Sequence, residues 1–316
     1  MKLQTKITFS KQQHKTISYD SKVVLLGSCF SENIGEKFLY SKIQSEINPF
    51  GILFQPLAIE NLISRAINKD YYSKADLHFN NEKWCCLDAH SKLNDIEPDV
   101  VIDSLNSALD STLTNLKSAT HIIITLGTAW VYRHTSTDSV VANCHKIPQK
   151  RFLKELLSVD DISESLQATI SLVRIINPKV NFIFTVSPVR HLKDGFVENT
   201  QSKSHLLAAV HQVVEPRAQI SYFPSYEIVM DELRDYRFYN EDMIHPNHLA
   251  INYIWEKFKT VWFSEVTIKT LEEVISIQKR LLHKPFNIKS NAHQKFLANL
   301  QSDINDLSNK LPHISF

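Results

Sequence analysis

The chain is short of glycine: five occur in 316 residues, at positions 27, 35, 51, 127 and 195, against roughly 7% in average usage. That scarcity excludes collagen-like, linker-rich and low-complexity architectures. Each glycine is then expected where the backbone needs positive φ or where something approaches closely. Charge of one sign is also lacking. Thirty-five Lys plus Arg balance 34 Asp plus Glu, a formal net charge of +1, so no global field draws the protein to nucleic acid or to an anionic membrane. The four cysteines, Cys29, Cys85, Cys86 and Cys144, have no metal-ligand CxxC spacing, and adjacent cysteines bridge each other poorly. Free thiols fit a reducing compartment. No run of about eighteen apolar residues occurs, and the N-terminal stretch lacks the apolar core of a signal peptide. These absences lead us to expect a soluble, cytoplasmic protein.

What is present is a core: 43% of residues are hydrophobic, ample for packing a chain of this length. KVVLL (22–26), HIIITL (121–126) and NFIFTV (181–186) read as continuous, β-branched or aromatic buried strands, with shorter ones near 42–47 and 218–223. Helical spacing follows each of them, through 31–40 with Ser31 as a candidate N-cap, 56–70, 95–117, 160–176 and 200–214, and from Pro246 as a first helical residue. DLHFNNEKWCCLDAH (76–90) reads as a hairpin about NNEK, and AWVYRH as extended chain. Strand and helix in alternation predict a mostly parallel sheet covered on both faces. Residues 265–311 read as two amphipathic helices separated by HKPFN.

Ligands of open parallel sheets bind beyond the carboxyl ends of the strands. There this sequence sets its polar segments: GSCFS (27–31), NPFG (48–51), LGTAW (126–130), NCHK (143–146), SPVRH (187–191) and DMIHPNH (242–248). Acyl transfer needs a nucleophile, a base, a group orienting the base, and donors for an oxyanion. Cys29 or Ser28 is the candidate nucleophile, His245 the base and Asp242 its orienter. The amides of Cys29 and Gly51 are candidate oxyanion donors, with Asn48, Thr128 or Asn143 adding a side chain beside Gly127. A thiol at a helix start is expected to ionise easily and to alkylate before Cys85 and Cys86. Arg190 and His191 either bind an anionic or hydroxyl-rich substrate or pair with Asp194 at the surface. Cys144 and His145 form a possible second pair or simply line a cleft, and Trp130 stands close enough in sequence to reach the pocket. His245 and His248, split by a proline and without a matching third ligand, make a poor metal set, so no metal or cofactor is expected.

The order GSCFSENIG, NPFGILFQP, GTAWVY, NCHK, SPVRH and DMIHP resembles the GSCFA domain family, and more broadly the SGNH/GDSL hydrolase superfamily. The likeness spans about 22–262. It implies a three-layer α/β/α, flavodoxin-like fold with a mostly parallel five-stranded sheet, an SGNH-like domain over 1–262 and a helical extension, 263–316, packed on it. It also implies an acyl-ester hydrolase or acyltransferase acting on a small acyl group, such as acetyl, of a carbohydrate or similar hydroxylated compound. Two departures stand out. Cysteine occupies the nucleophile place with Ser28 where the superfamily has aspartate, which favours Cys29. Thr128, Ala129 and Trp130 follow Gly127, without the superfamily's asparagine. A ligand-binding protein that keeps the pocket without turnover is the rival expectation.

Overall fold

The computed structural model describes residues 4–316. Its elements in chain order are β1 (Val23–Gly27), α1 (Cys29–Tyr40), β2 (Ser45–Ile47), α2 (Pro56–Asn68), β3 (Leu77–Asn80), β4 (Lys83–Cys86), α3 (Pro98–Ser118), β5 (His121–Leu126), β6 (Trp130–His134), β7 (Ser139–Val141), β8 (Phe152–Leu156), α4 (Val159–Ile176), β9 (Asn181–Val186), α5 (Phe196–Val213), β10 (Ile220–Tyr222), a short α6 (Ser225–Glu227), α7 (His248–Trp262), α8 (Glu265–Leu281) and α9 (Asn291–Lys310).

Five strands form a parallel sheet in the order β10-β9-β5-β1-β2. Side chains alternate across it, because successive Cβ atoms of a strand point to opposite faces. Val24, Leu26, Ile122, Ile124, Phe182 and Phe184 face α2, α3, α4 and α5. Val23, Leu25, Ile123 and Ile183 face the other layer, where α1, α7, α8 and α9 pack through Phe38, Trp255, Leu271 and Leu307. Both layers bury apolar stripes, which is why the central strands read as unbroken apolar runs rather than alternating ones. This is a three-layer α/β/α fold.

The hairpin forms as β3-β4 with Asn81 and Glu82 at its turn, both at positive φ. The extended AWVYRH segment is the centre of a three-stranded antiparallel sheet, β7-β6-β8, which local pattern did not reveal because one of its partners, β8, lies well beyond it in the chain, past β7 and a loop. Two helix starts differ from expectation. Ser28, not Ser31, caps α1, its side chain accepting the Phe30 N–H, while Ser31 lies inside the helix and donates to Leu26 O at 3.1 Å. Asn247 caps α7 by accepting from Leu249 and Ala250, so Pro246 lies ahead of the cap rather than at the first helical position.

The chain leaves β1 for β2 on one side and returns to β5 on the other. The crevice between the carboxyl ends of β1 and β5 is therefore the switch point at which such sheets bind ligands.

Candidate active site

At that crevice β1 ends on Gly27, whose φ is +131° and where an added Cβ would lie 2.1 Å from Thr125 O. Only glycine lets β1 and β5 close there. The Gly27 N–H donates to Asn48 Oδ1 at 2.9 Å, and the Asn48 N–H donates to Leu25 O. Asn48 is thus a buried bracket for the end of β1, with its Nδ2 lacking a hydrogen-bond partner. Gly51 does not present a free amide. Its N–H donates to Asn48 O at 2.7 Å, closing a tight turn against His90. The expectation of a Gly51 oxyanion donor is corrected by that bond.

Chain direction separates Ser28 from Cys29. Ser28 is buried and its Oγ caps α1, whereas Cys29 is the first helical residue and half-buried. The thiol does not ionise easily, contrary to the sequence expectation. Burial pushes its pKa up, and this outweighs the lowering by Lys203 and by the N–H groups of the helix start. A helix terminus helps a thiolate, but desolvation opposes the charged form more strongly here.

Lys203 was not foreseen. It projects from α5 into the sheet edge, 1% exposed, and Nζ donates to Gly127 O at 2.6 Å and Ser187 O at 2.7 Å. Those carbonyls end β5 and β9. Gly127 in turn lies against Ser28, 3.4 Å from its Cβ to a Cβ built at the glycine. Burial draws the Lys203 pKa down to about 7, opposed chiefly by Cys29. The available signal was phase: Lys203 falls in register with Leu206, Val210 and Val213 on the buried face of α5, where a lysine is out of place unless paired.

Opposite this buried group stands an exposed one. His245 Nδ1 and Asp242 Oδ2 are 2.6 Å apart, both side chains 44% exposed. Asp242 Oδ1 also accepts the backbone N–H groups of Ile244 and His245 at 2.9 Å each. These hydrogen bonds hold its carboxyl near 2, so it stays ionised to orient the imidazole. His191 lies between the two halves. Burial, then Lys203, draw its pKa to about 4, with His245 adding to the fall. Its backbone N–H donates to Asn199 Oδ1, and its ring meets Phe54 edge-on at 5.3 Å. Arg190 reaches away, to Tyr239 Oη and Met230 Sδ. It lines a groove of about 520 Å³ with Met230, Tyr236, Tyr239, Asp242 and Met243. The surface pairing expected with Asp194 is made instead by Lys154.

The remaining candidates are occupied by structure. Thr128 Oγ1 shares a hydrogen bond with Ser202 Oγ and accepts the Trp130 N–H. Asn143 Oδ1 accepts the His145 N–H. His145 is buried, with Nε2 at 2.7 Å from Cys86 O and Nδ1 at 3.1 Å from Asn94 Nδ2, so its ring ties the end of the hairpin and the segment after it to the loop after β7. Trp130 Nε1 donates to Glu198 O, and Lys154 lies over its ring. Among the described residues no group of three or more His, Cys, Asp or Glu is set to hold a metal ion, and no helix is long and apolar enough to cross a membrane.

Residues 22–258 match the model of the GSCFA family, and residues 274–316 match the GSCFA domain protein, C-terminal domain. The chain belongs to the GSCFA family. No curated protein matches it. Among solved structures it is similar to a carbohydrate esterase family 3 protein from Talaromyces cellulolyticus, at 10% identity and TM-score 0.37, over 80% of this chain and 99% of that one. It is also similar to an acetyl esterase mutant, S10A, with acetate ion, at 12% identity and TM-score 0.36, over the same shares. Likenesses this distant carry no part of the functional reading.

Proposed function

We propose that the protein is an SGNH-type acyl-ester hydrolase or acyltransferase that uses Cys29 as nucleophile and the His245–Asp242 pair for proton transfer. The observations that support it most are a half-buried thiol at the start of α1, directly after β1, and a carboxylate-oriented imidazole on the loop before α7, with His191 after β9 under the electrostatic influence of both His245 and the buried Lys203. The strand order and the place of each polar segment also fit the superfamily. In the first step the Cys29 thiolate attacks the acyl carbon, a C–S bond forms, and the ester C–O bond breaks. The departing oxygen takes a proton from protonated His245. An acceptor hydroxyl, of water or of a second compound, then gives its proton to His245 as it attacks the thioester, and the C–S bond breaks to release the thiolate. Asp242 keeps the imidazole turned toward the substrate.

The substrate we assign is a small acyl, such as acetyl, ester of a carbohydrate or similar hydroxylated compound. A brief exposure to p-nitrophenyl acetate followed by peptide mass mapping tests this reading. We expect an acetyl group on Cys29, absent from Cys29→Ala and long-lived in His245→Ala. An adduct on Ser28 would move the nucleophile. No adduct and no ester turnover would overturn the enzymatic reading in favour of a ligand-binding pocket, a rival supported by the committed Gly51 amide.

A further inference from the structure

The groove of about 520 Å³ beside the Asp242 loop is lined by a cation, Arg190, that pairs with no carboxylate among the described residues. Its guanidinium donates from Nη1 to Tyr239 Oη at 3.3 Å and from Nη2 to Met230 Sδ at 2.9 Å, a neutral phenol and a weakly accepting thioether. The remaining N–H donors of its fork have no partner among the described residues. Every other charged side chain on the groove has one: Arg234 pairs with Asp231 at 3.2 Å, Asp235 with Arg237 at 3.7 Å, and Asp242 with His245 at 2.6 Å. His191, next to Arg190 in the chain, is buried and has its pKa drawn down to about 4, so at neutral pH Arg190 is the cation that this segment offers.

The rest of the lining suits a small ligand. Met230 lies on a π-helical turn, Ile228–Glu232, closed by the Leu233 N–H on Ile228 O at 3.0 Å. Such turns are rare and concentrate at functional sites. Phe196, Tyr236 and Met243 also line the groove and are 69%, 75% and 53% exposed. An apolar and aromatic wall with a few placed polar groups is the usual make-up of a ligand pocket.

We propose that this groove receives the alcohol part of the ester and that Arg190 is its specificity-determining residue, binding a carboxylate carried by that part. The inference rests on the proposed function: Asp242 and Ile244, which precede His245, form one wall, and an alcohol oxygen protonated by His245 leaves its remaining atoms beside that wall. One cation without a partner matches a single negative charge. A phosphate monoester carries more charge and would meet Asp235 and Asp242 on the same groove. A planar carboxylate also fits a guanidinium, which can offer parallel N–H bonds to both oxygens. Arg190 makes and breaks no covalent bond in this role.

A pair of acetyl esters tests it, p-acetoxybenzoate and the neutral p-acetoxybenzamide, with kcat/KM measured in wild type, Arg190→Gln and Arg190→Lys. The readout is the ratio of the acidic to the neutral ester, because comparing that ratio between variants cancels the unequal intrinsic reactivity of the esters. It is expected to fall at least about tenfold in Arg190→Gln, chiefly through KM, and less in Arg190→Lys. An unchanged ratio in folded Arg190→Gln would overturn the assignment and leave the esterase reading intact. A second measurement needs neither turnover nor a variant. Phenylglyoxal labelling of Arg190 in the wild-type protein, followed by peptide mass, is expected to slow at least about fivefold under saturating p-hydroxybenzoate and to be unaffected by p-hydroxybenzamide. Equal labelling with and without p-hydroxybenzoate would overturn the carboxylate contact. Protection by p-hydroxybenzoate in a protein that turns over no ester would keep Arg190 as the carboxylate contact and overturn the esterase reading instead.

Discussion

The buried groups of the candidate site and its exposed carboxylate are shifted by opposite physics. On the sheet edge, Cys29, Lys203 and His191 lie out of water, and desolvation is the largest cause acting on each: thiol up, amine and imidazole down. On the loop before α7, Asp242 and His245 stand in solvent, and hydrogen bonds set the carboxylate low. Burial suppresses charge, so each group of the inner half is shifted toward its neutral form. Hydrogen bonding in solvent keeps the Asp242 carboxylate charged at little structural cost. A thiol placed in the outer half would meet water and oxidants freely, and a carboxylate placed in the inner half would lose its charge.

The largest break of this contrast is geometric. Gly27→Ala puts a Cβ into Thr125 O at a backbone φ that disfavours side chains, at an expected cost above about 3 kcal/mol. Its urea midpoint should collapse, and with it the inner half of the site. Next in size is the outer half alone. Asp242→Asn keeps the shape but loses the charge that orients His245, and should reduce turnover of p-nitrophenyl acetate about a hundredfold while leaving the melting temperature at neutral pH close to that of wild type.

Acid sharpens the comparison. His191 in the site and His121, held at the other end of β5 by Lys15 O and Thr120, both have pKa values drawn by burial to about 4 from 6.5. Folded, they stay neutral, while the unfolded chain takes up protons below about pH 6.5. Their contribution is therefore present above pH 6.5 and is lost as pH falls toward 4. The denaturation midpoint should decline across that window, more shallowly in His121→Gln. Asp242 acts lower, its contribution fading only as pH falls below the ordinary carboxylate range toward 2. The smallest effect belongs to Ser28→Ala, which removes the α1 cap and should cost about 1 kcal/mol. Its acyl adduct should stay on Cys29, since Ser28 Oγ serves the helix.

Much of the framework was legible in order. The apolar runs at 23–26, 121–126 and 181–186 are the three central strands because burial on both faces removes any alternation. The polar segments GSCFS, LGTAW and SPVRH follow them directly, so their common location at the carboxyl edge follows from parallel pairing. Asp242 and His245 were legible because a three-residue spacing lets one loop turn join them. Helix starts were less so: Ser28 and Ser31 are equally good caps by type, and only the run of the backbone out of β1 selects Ser28. His145 looked reactive by residue type, yet its two ring bonds come from Cys86 and Asn94, which sequence spacing does not bring near.

By itself, then, the sequence determined the alternation of strand and helix, the two-sided sheet, and the local pairing of Asp242 with His245, all consequences of periodicity and short spacing. Tertiary structure alone decided which thiol and which cation share the sheet edge. Cys29 and Lys203 lie far apart in the chain, and Lys203 reaches the carboxyl ends of β5 and β9 because α5 packs its apolar stripe on the sheet and carries the lysine, in phase with that stripe, to the Gly127 and Ser187 carbonyls. The same packing removes water, and that removal, which no residue type encodes, sets the charge of every group in the inner half.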